Sequence, residues 1–496
     1  RTSPSATFSA PSHQLFSHAM VRRLALSVGS ALAASVGGAA SAEKPNIVML
    51  MPDQWRWDWD GFHKEQADLH LPTLQRIAES GTRFTFSYTP SPLCVPARAA
   101  LASVRHYDEA PHVTNGQDFP TQVPTWYNAV RDVGYHVIAV GKDDLTQSIQ
   151  GTKADGCRHA AELGFDSHFR MQDKFATYSG RHPIDQFSSA MANLTCGRND
   201  SSGSTLRACN RWCYGVIAVP RIGVGHCCEV LPSRQNGWTC PVPDQVGKEQ
   251  SLYVDDYVTE RAERLIEQVP ERKPWALQLA FPGPHPPFVI TEAMNKSIGD
   301  RHFPAAFDNK LLSNELQLQV RRQYAAEVEN LDKLMGRLLT KLGAFEPDSN
   351  TLVVVMSDHG EQLGEHHWFG KKRPWEGSLR VPLLVHGRGV AAGRVVDAPV
   401  STLDAVGLIL DRAGAPRRPG WHQGSLDPHL RPEAGAGVDD AAPVVHSGLT
   451  APEEHGLDFR VAVRRLNATH TIKVICCPGG CPDGNSRAAS TAPSPQ

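Results

Sequence analysis

The sequence predicts an α/β fold: an open, mostly parallel sheet flanked by helices on both faces, followed by a small C-terminal antiparallel subdomain. Three observations carry that expectation. Four short apolar runs each end abruptly in polar residues, and runs without alternation suit strands covered on both faces. Helical patterns lie between those runs, the arrangement that yields parallel strands with right-handed crossovers. The composition, 41% hydrophobic and 21% charged, is that of a chain able to bury a core.

The elements follow in order. Residues 46–51 (NIVMLM) form the first apolar run and lead into Asp53-Gln54. Helical spacing covers about residues 71–80 and 124–133. The second run, residues 136–140 (HVIAV), leads into Gly141-Lys142-Asp143-Asp144. A helix is expected over about 254–268 before the third run, residues 275–281 (WALQLAF), which leads into Pro284-His285-Pro286. A long helix is expected over about 315–342, and the fourth run, residues 351–356 (TLVVVM), leads into Asp358-His359. Ligands of open α/β sheets bind beyond the carboxyl ends of the strands, so these polar tails are expected to share one pocket. The Gly/Pro-rich stretch 413–420 sets a boundary: a main domain over 43–412, then a subdomain and disordered tail over 413–496. Within that subdomain, residues 459–465 and 471–475 flank a hairpin turn.

Charge excludes one broad class. Lys+Arg is 50 and Asp+Glu is 52, a net charge of −2 over 496 residues, without the basic field a nucleic-acid binder needs. Residues 1–42 read as an upstream segment and a signal peptide: Arg22-Arg23, a weakly apolar stretch over 24–40, and Ala40-Ser41-Ala42 as cleavage site. So small-residue-rich a stretch is not expected to form a stable membrane span. Four sequons, at Asn193, Asn199, Asn295 and Asn467, agree with passage through the secretory pathway, to an extracellular or lysosomal destination. Six of the eleven cysteines fall between Cys196 and Cys240. In an oxidising compartment they read as disulfides stapling a surface insertion over 196–245. A zinc site at Cys209, Cys213, Cys227 and Cys228 is the alternative.

The most specific motif is Cys94-Val95-Pro96-Ala97-Arg98, with Leu101 following. It resembles the signature of the type I, formylglycine-dependent sulfatases of the alkaline phosphatase superfamily, in which Cys-x-Pro-x-Arg directs oxidation of the cysteine to formylglycine. The resemblance implies an alkaline phosphatase-like fold and hydrolysis of a sulfate monoester, carried by a small molecule or a glycan, to an alcohol and inorganic sulfate. It also implies a formylglycine-generating enzyme as a biosynthetic partner. The hydrate of the aldehyde has two hydroxyls, one to attack sulfur and one whose deprotonation expels sulfate, which splits one hard step into two.

A hydrate hydroxyl is a poor nucleophile without a cation beside it. Asp53, Gln54 and Asp358, with His359 adjacent, offer mostly hard oxygen donors, suited to Ca²⁺ or Mg²⁺; the family resemblance implies Ca²⁺. Arg98, one helical turn after Cys94, is expected to face the same pocket. Gly141-Lys142 resembles the family's Gly-Lys. His285 resembles the histidine that protonates the leaving alcohol. Lys371, five residues before Glu376-Gly377 and ahead of Arg380-Val381-Pro382, matches a further family pattern, with Lys372 an adjacent competitor. His366 and His367, within residues 364–370, are candidates for the substrate side and are left out of the expected catalytic set.

The chain departs from the pattern in three places. Gln54 replaces a second Asp, as in the choline sulfatase and phosphonate monoester hydrolase branches; iduronate-type sulfatases are also similar in motif. Leu101-Ala102-Ser103 stands where the family reads Leu-Thr-Gly. Asp144 stands where the family often has His. Two other readings stay open: a phosphate or phosphonate monoester hydrolase on the same scaffold, and a non-catalytic protein that binds sulfated glycans.

Overall fold

A computed structural model describes residues 43–111, 117–146, 153–170, 229–230, 238–242, 253–286, 288–307, 314–431, 444–451, 457–466 and 470–477. The expected signal segment, the tail, most of the Cys-rich insertion and the sequons at Asn193, Asn199 and Asn467 lie outside the described residues.

Strands in the first half are β1 (Asn46–Pro52), β2 (Thr82–Phe84), β3 (Ser87–Tyr88), β4 (His136–Gly141), β5 (Ser167–Arg170), β6 (Glu229–Val230) and β7 (Trp238–Val242). Then come β8 (Trp275–Phe281), β9 (Phe288–Thr291), β10 (Thr351–Met356), β11 (Leu383–His386), β12 (Arg394–Val396) and β13 (Val400–Ser401). The last three are β14 (Val445–Ala451), β15 (Leu457–Arg465) and β16 (Thr471–Cys476). Helices are α1 (Pro72–Ser80), α2 (Cys94–Ser103), α3 (Trp126–Asp132), α4 (Lys153–Leu163) and α5 (Val254–Ile266). They continue with α6 (Glu292–Ile298), α7 (Asn314–Lys341), α8 (Glu376–Leu379) and α9 (Thr402–Ala413).

The expected strands β1, β4, β8 and β10 sit side by side in an eight-stranded sheet of order β12-β2-β11-β10-β1-β8-β4-β5. Their mutual pairings are parallel, while β11 runs antiparallel to both β10 and β2. Successive strand residues point to opposite faces, and the two faces feed different cores. Val48, Leu50, Leu277, Leu279, Val353 and Val355 pack with α1, α5 and α7. Ile47, Met49, Met51, Ala276, Val354 and Met356 pack with α2, α3 and α9. The apolar runs lack alternation because both faces are covered.

Helix ends follow local chemistry. Ser401 caps α9 and Asp404 returns the capping box, while Gly414 closes the helix in a left-handed turn. Thr125 and Asn128 do the same at the start of α3.

The C-terminal hairpin forms as expected between β15 and β16, and β14 adds a third antiparallel strand. This sheet shares a core with the main sheet's surroundings: Leu449, Phe459 and Val461 pack with Tyr88, Leu93 and Leu379. Part of the insertion is ordered into pairing, with β7 parallel to β9 and antiparallel to β6. The sequon at Asn295 lies exposed on α6.

Candidate active site

The carboxyl ends of β1, β4, β8 and β10 deliver Asp53, Lys142, the 283–286 turn and Asp358 to one place. Asp53 N donates to Phe281 O at 3.1 Å and Gly283 O at 3.0 Å, which knots the ends of β1 and β8 together. Lys142 N donates to Ala280 O at 2.9 Å. Gly141 just before it has φ +96, and a Cβ there would sit 2.0 Å from Ala280 O, so only glycine lets β4 approach this closely. Ser357 Oγ lies 2.8 Å from Pro52 O and accepts from Trp55 N at 2.9 Å, tying β1 to β10.

Helix α2 brings the remaining groups. It starts at Cys94 with no side-chain cap, so the positive end of its dipole lies at the end that carries Cys94. Arg98 follows on the same face. Its Nε donates to Asp358 Oδ2 at 2.9 Å, and its Nη2 lies 3.3 Å from Asp53 Oδ2. Val104 ends the helix at φ +54 and is fully buried.

Around the Cys94 Sγ stand His359 Nε2 at 3.1 Å, Lys371 Nζ at 2.7 Å, Lys142 Nζ at 3.4 Å and Asp53 Oδ1 at 3.9 Å. Lys142 Nζ also contacts Asp53 Oδ2. Ligand atoms of Asp53, Cys94, Asp358 and His359 all lie within 4.8 Å of one another, and all four residues are buried. Gln54 sits beside them at φ +69, its N–H donating to Asp358 Oδ1 at 3.0 Å. Its side-chain Oε1 accepts from Lys371 Nζ at 2.8 Å, and its Nε2 donates to Glu361. Of the adjacent lysines, Lys371 is the one against Cys94; the Lys372 backbone, at φ +67, donates to Pro92 O at 3.0 Å. His285 is buried, its Nδ1 2.5 Å from Pro286 O. His366 is exposed, its ring 4.4 Å from that of Trp375.

Burial and charge compete throughout. Burial alone would raise the Asp53 carboxyl, but Lys142, Lys371 and Arg98 hold it well below the usual range. Burial also opposes the charge of Lys142, which Asp144 and Asp53 more than restore. Burial and the Asp53 carboxylate push the Cys94 thiol up to about 11. Burial and the nearby Lys371 push His285 well below its ordinary value, and burial lowers His359 to about 4, so both imidazoles are neutral. Two carboxylates and an imidazole nitrogen gathered within 4.8 Å, with Gln54 adjacent, suit a hard divalent cation.

Sequence reasoning missed several supports. Glu361 is buried and accepts from Leu363 N at 3.0 Å as well as holding Gln54. Its place in the polar run after Asp358 was a usable signal. Tyr324 Oη donates to Gln54 O at 2.8 Å and accepts from Arg56 N at 2.9 Å. Nothing in the periodic pattern of α7 marks that tyrosine. Asp143 accepts from Leu145 N at 2.8 Å and meets His168 Nε2 at 2.5 Å, fixing the turn that carries Lys142 and Asp144.

The chain is an α/β protein whose mostly parallel sheet gathers a charged, carboxylate-lined cluster at its strand ends. The sulfatase family model matches residues 45–415, and the chain belongs to that family of enzymes. It is 26% identical over 400 residues to a choline-sulfatase of Rhizobium meliloti (strain 1021), covering 75% of this chain and 68% of that protein. It is 27% identical over 468 residues to arylsulfatase K of Danio rerio, covering 86% and 74%. Among solved structures, the phosphonate monoester hydrolase of Agrobacterium radiobacter has the same fold, with TM-score 0.62 and 20% identity over 88% of this chain and 90% of that one. So does a protein solved with its substrate D-glucosamine-2-N,6-O-disulfate: TM-score 0.62, 18% identity, 87% and 88% coverage.

Proposed function

We propose that this chain hydrolyses a sulfate monoester to an alcohol and inorganic sulfate, using a formylglycine that a formylglycine-generating enzyme makes from Cys94. The observation that carries the reading is the convergence of Cys94 with Asp53, Asp358 and His359 within 4.8 Å. Asp53, Gln54, Asp358 and His359 would hold a divalent cation, Ca²⁺ on the family's precedent with Mg²⁺ as the alternative. Formylglycine hydrate supplies the nucleophilic hydroxyl, and the bound cation lowers that hydroxyl's pKa.

The chain's own groups do the rest. Arg98, Lys142 and Lys371 pair with the non-bridging oxygens of the ester and stabilise charge that develops there. The buried walls exclude water, which strengthens those contacts. His285 carries the proton for the departing alcohol. Its Nδ1 faces Pro286 O, which leaves Nε2 for that proton, and an anion bound near Lys371 and Lys142 offsets the charges that suppress its protonation.

The segment over 20–42 supports entry into the secretory pathway, to an extracellular or lysosomal destination. The catalytic unit in this reading spans 43–412, and the subdomain and tail span 413–496.

Two measurements test the reading. Mass spectrometry of the tryptic peptide carrying residue 94, from a conversion-competent eukaryotic host, should show formylglycine. An unmodified thiol there would favour a sulfated-glycan-binding protein instead. Comparing kcat/KM on aryl sulfate and on aryl phosphate and phosphonate esters should favour the sulfate. Preference for the phosphonate would favour the second reading, which Gln54 and the fold of the phosphonate monoester hydrolase keep in play.

A further inference from the structure

The cluster contains one carboxylate that none of the roles above uses. Asp144 Oδ2 lies 3.4 Å from Lys142 Nζ and 3.6 Å from Arg98 Nε. Asp53 and Asp358 are wholly buried, whereas the Asp144 side chain is 14% exposed, so solvent reaches it. Together with Asp53, Asp144 offsets the cost of burying the Lys142 charge. Its position is built rather than incidental. Asp143 caps Leu145 N and Thr146 N and is itself held by His168, and Asp144 follows at φ +54, a conformation Asp and Asn tolerate.

We propose that Asp144 is a charge filter: seated on two of the cations that bind the ester, its carboxylate sets the site for singly charged esters and against doubly charged ones. This rests on the reading that Arg98 and Lys142 hold the anionic group. A sulfate monoester carries one negative charge at every working pH. A phosphate monoester carries close to two above its second pKa of about 6. A fixed negative charge a few ångströms from the bound anion repels the second kind about twice as strongly. At an effective dielectric of about 20, that difference amounts to at least about tenfold in relative affinity.

The test compares wild type, Asp144→Asn and Asp144→Glu on three esters of one phenol: sulfate, phosphate, and a phosphonate monoester, which is singly charged. Asparagine keeps the turn and removes the charge; glutamate keeps the charge. Asp144→Asn should raise kcat/KM for the phosphate relative to both singly charged esters by about tenfold or more at pH 7.5. Asp144→Glu should not. The gain should shrink as pH falls through about 6 and the phosphate becomes singly charged. Equal losses on all three esters in both variants would mean the carboxylate only positions Arg98 and Lys142, and would overturn the proposal. So would an unchanged ratio. If wild type prefers the phosphonate to the sulfate, the sulfatase reading fails, yet the ratio of doubly to singly charged substrate still judges Asp144.

Discussion

Arg98 is a cation that the two buried carboxylates share. It reaches Asp358 through Nε at 2.9 Å and Asp53 through Nη2 at 3.3 Å. Breaking a buried ion pair from one side strands the other charge, typically at about 3–5 kcal/mol. Arg98→Met is therefore expected to lose stability on that scale in denaturant unfolding. Arg98→Lys should recover only part of it, since an ammonium cannot reproduce the fork. A loss below about 1 kcal/mol in Arg98→Met would contradict this picture. The adjacent lysines give a second contrast. Lys371→Ala should lower kcat on an aryl sulfate about 10²–10³-fold, the usual cost of one preorganised donor. Lys372→Ala should stay within a few fold, and matching losses would shift the assignment away from Lys371.

Among the elements, β16 makes contact beyond its own sheet. Lys473 on that strand places Nζ 2.7 Å from Glu376 Oε1, and Tyr88 Oη donates to Glu376 Oε2 at 3.1 Å. Glu376 opens α8, five residues after Lys371, so the C-terminal sheet braces the loop that carries an expected site lysine. Burial would raise the Glu376 carboxyl, but Lys473 and Arg380 outweigh it and hold the group below its ordinary value. Lys473→Met is expected to cost about 1.5–3 kcal/mol, the range for hydrogen bonds to charged groups. The sign with pH follows from the depressed pKa. The stabilisation is full above the unfolded value of about 4.3 and is lost as pH falls through the folded value. Unfolding of both proteins from pH 7 to pH 3 should show the gap closing only in that acid range. A gap independent of pH would assign the effect to packing of the lysine stem instead.

At the scale of the whole molecule, a cation held by Asp53, Gln54, Asp358 and His359 would join segments some three hundred positions apart and couple binding to folding. Chelator-treated protein should melt lower, and Ca²⁺ at about a hundred times its Kd should restore about 2.7 kcal/mol. Asp53→Asn should remove most of that response in calorimetry; a full response in that variant would displace Asp53 from the ligand set. Much of the architecture was legible because β1, β4, β8 and β10 are buried on both faces, and their apolar runs announce it. The short strands β2, β11 and β12 were not, since three or four residues carry too little pattern and exist through pairing with neighbours. Strand β14 was missed for a related reason: its inward residues Val445 and Leu449 make sense only against Tyr88 and Leu93. Cys94, Arg98 and the Asp53 and Asp358 tails were legible because local spacing and strand ends mark them. Tyr324 was not, because its contact with Gln54 depends on where a distant backbone comes to rest; the spacing marked Lys371 ahead of Lys372, and the fold sets its Nζ against Cys94.

Chain-local chemistry by itself determined the sheet-forming runs, the helices between them and the Cys94–Arg98 turn, since burial pattern, capping and one helical turn are short-range properties. Which carboxylate leans on Arg98 and Lys142 where the family often has histidine, and which strand braces the Lys371 loop, were decided only by tertiary structure. Those outcomes depend on ångström-scale distances between segments that sequence separates by tens to hundreds of residues, and only the packed sheet sets such distances.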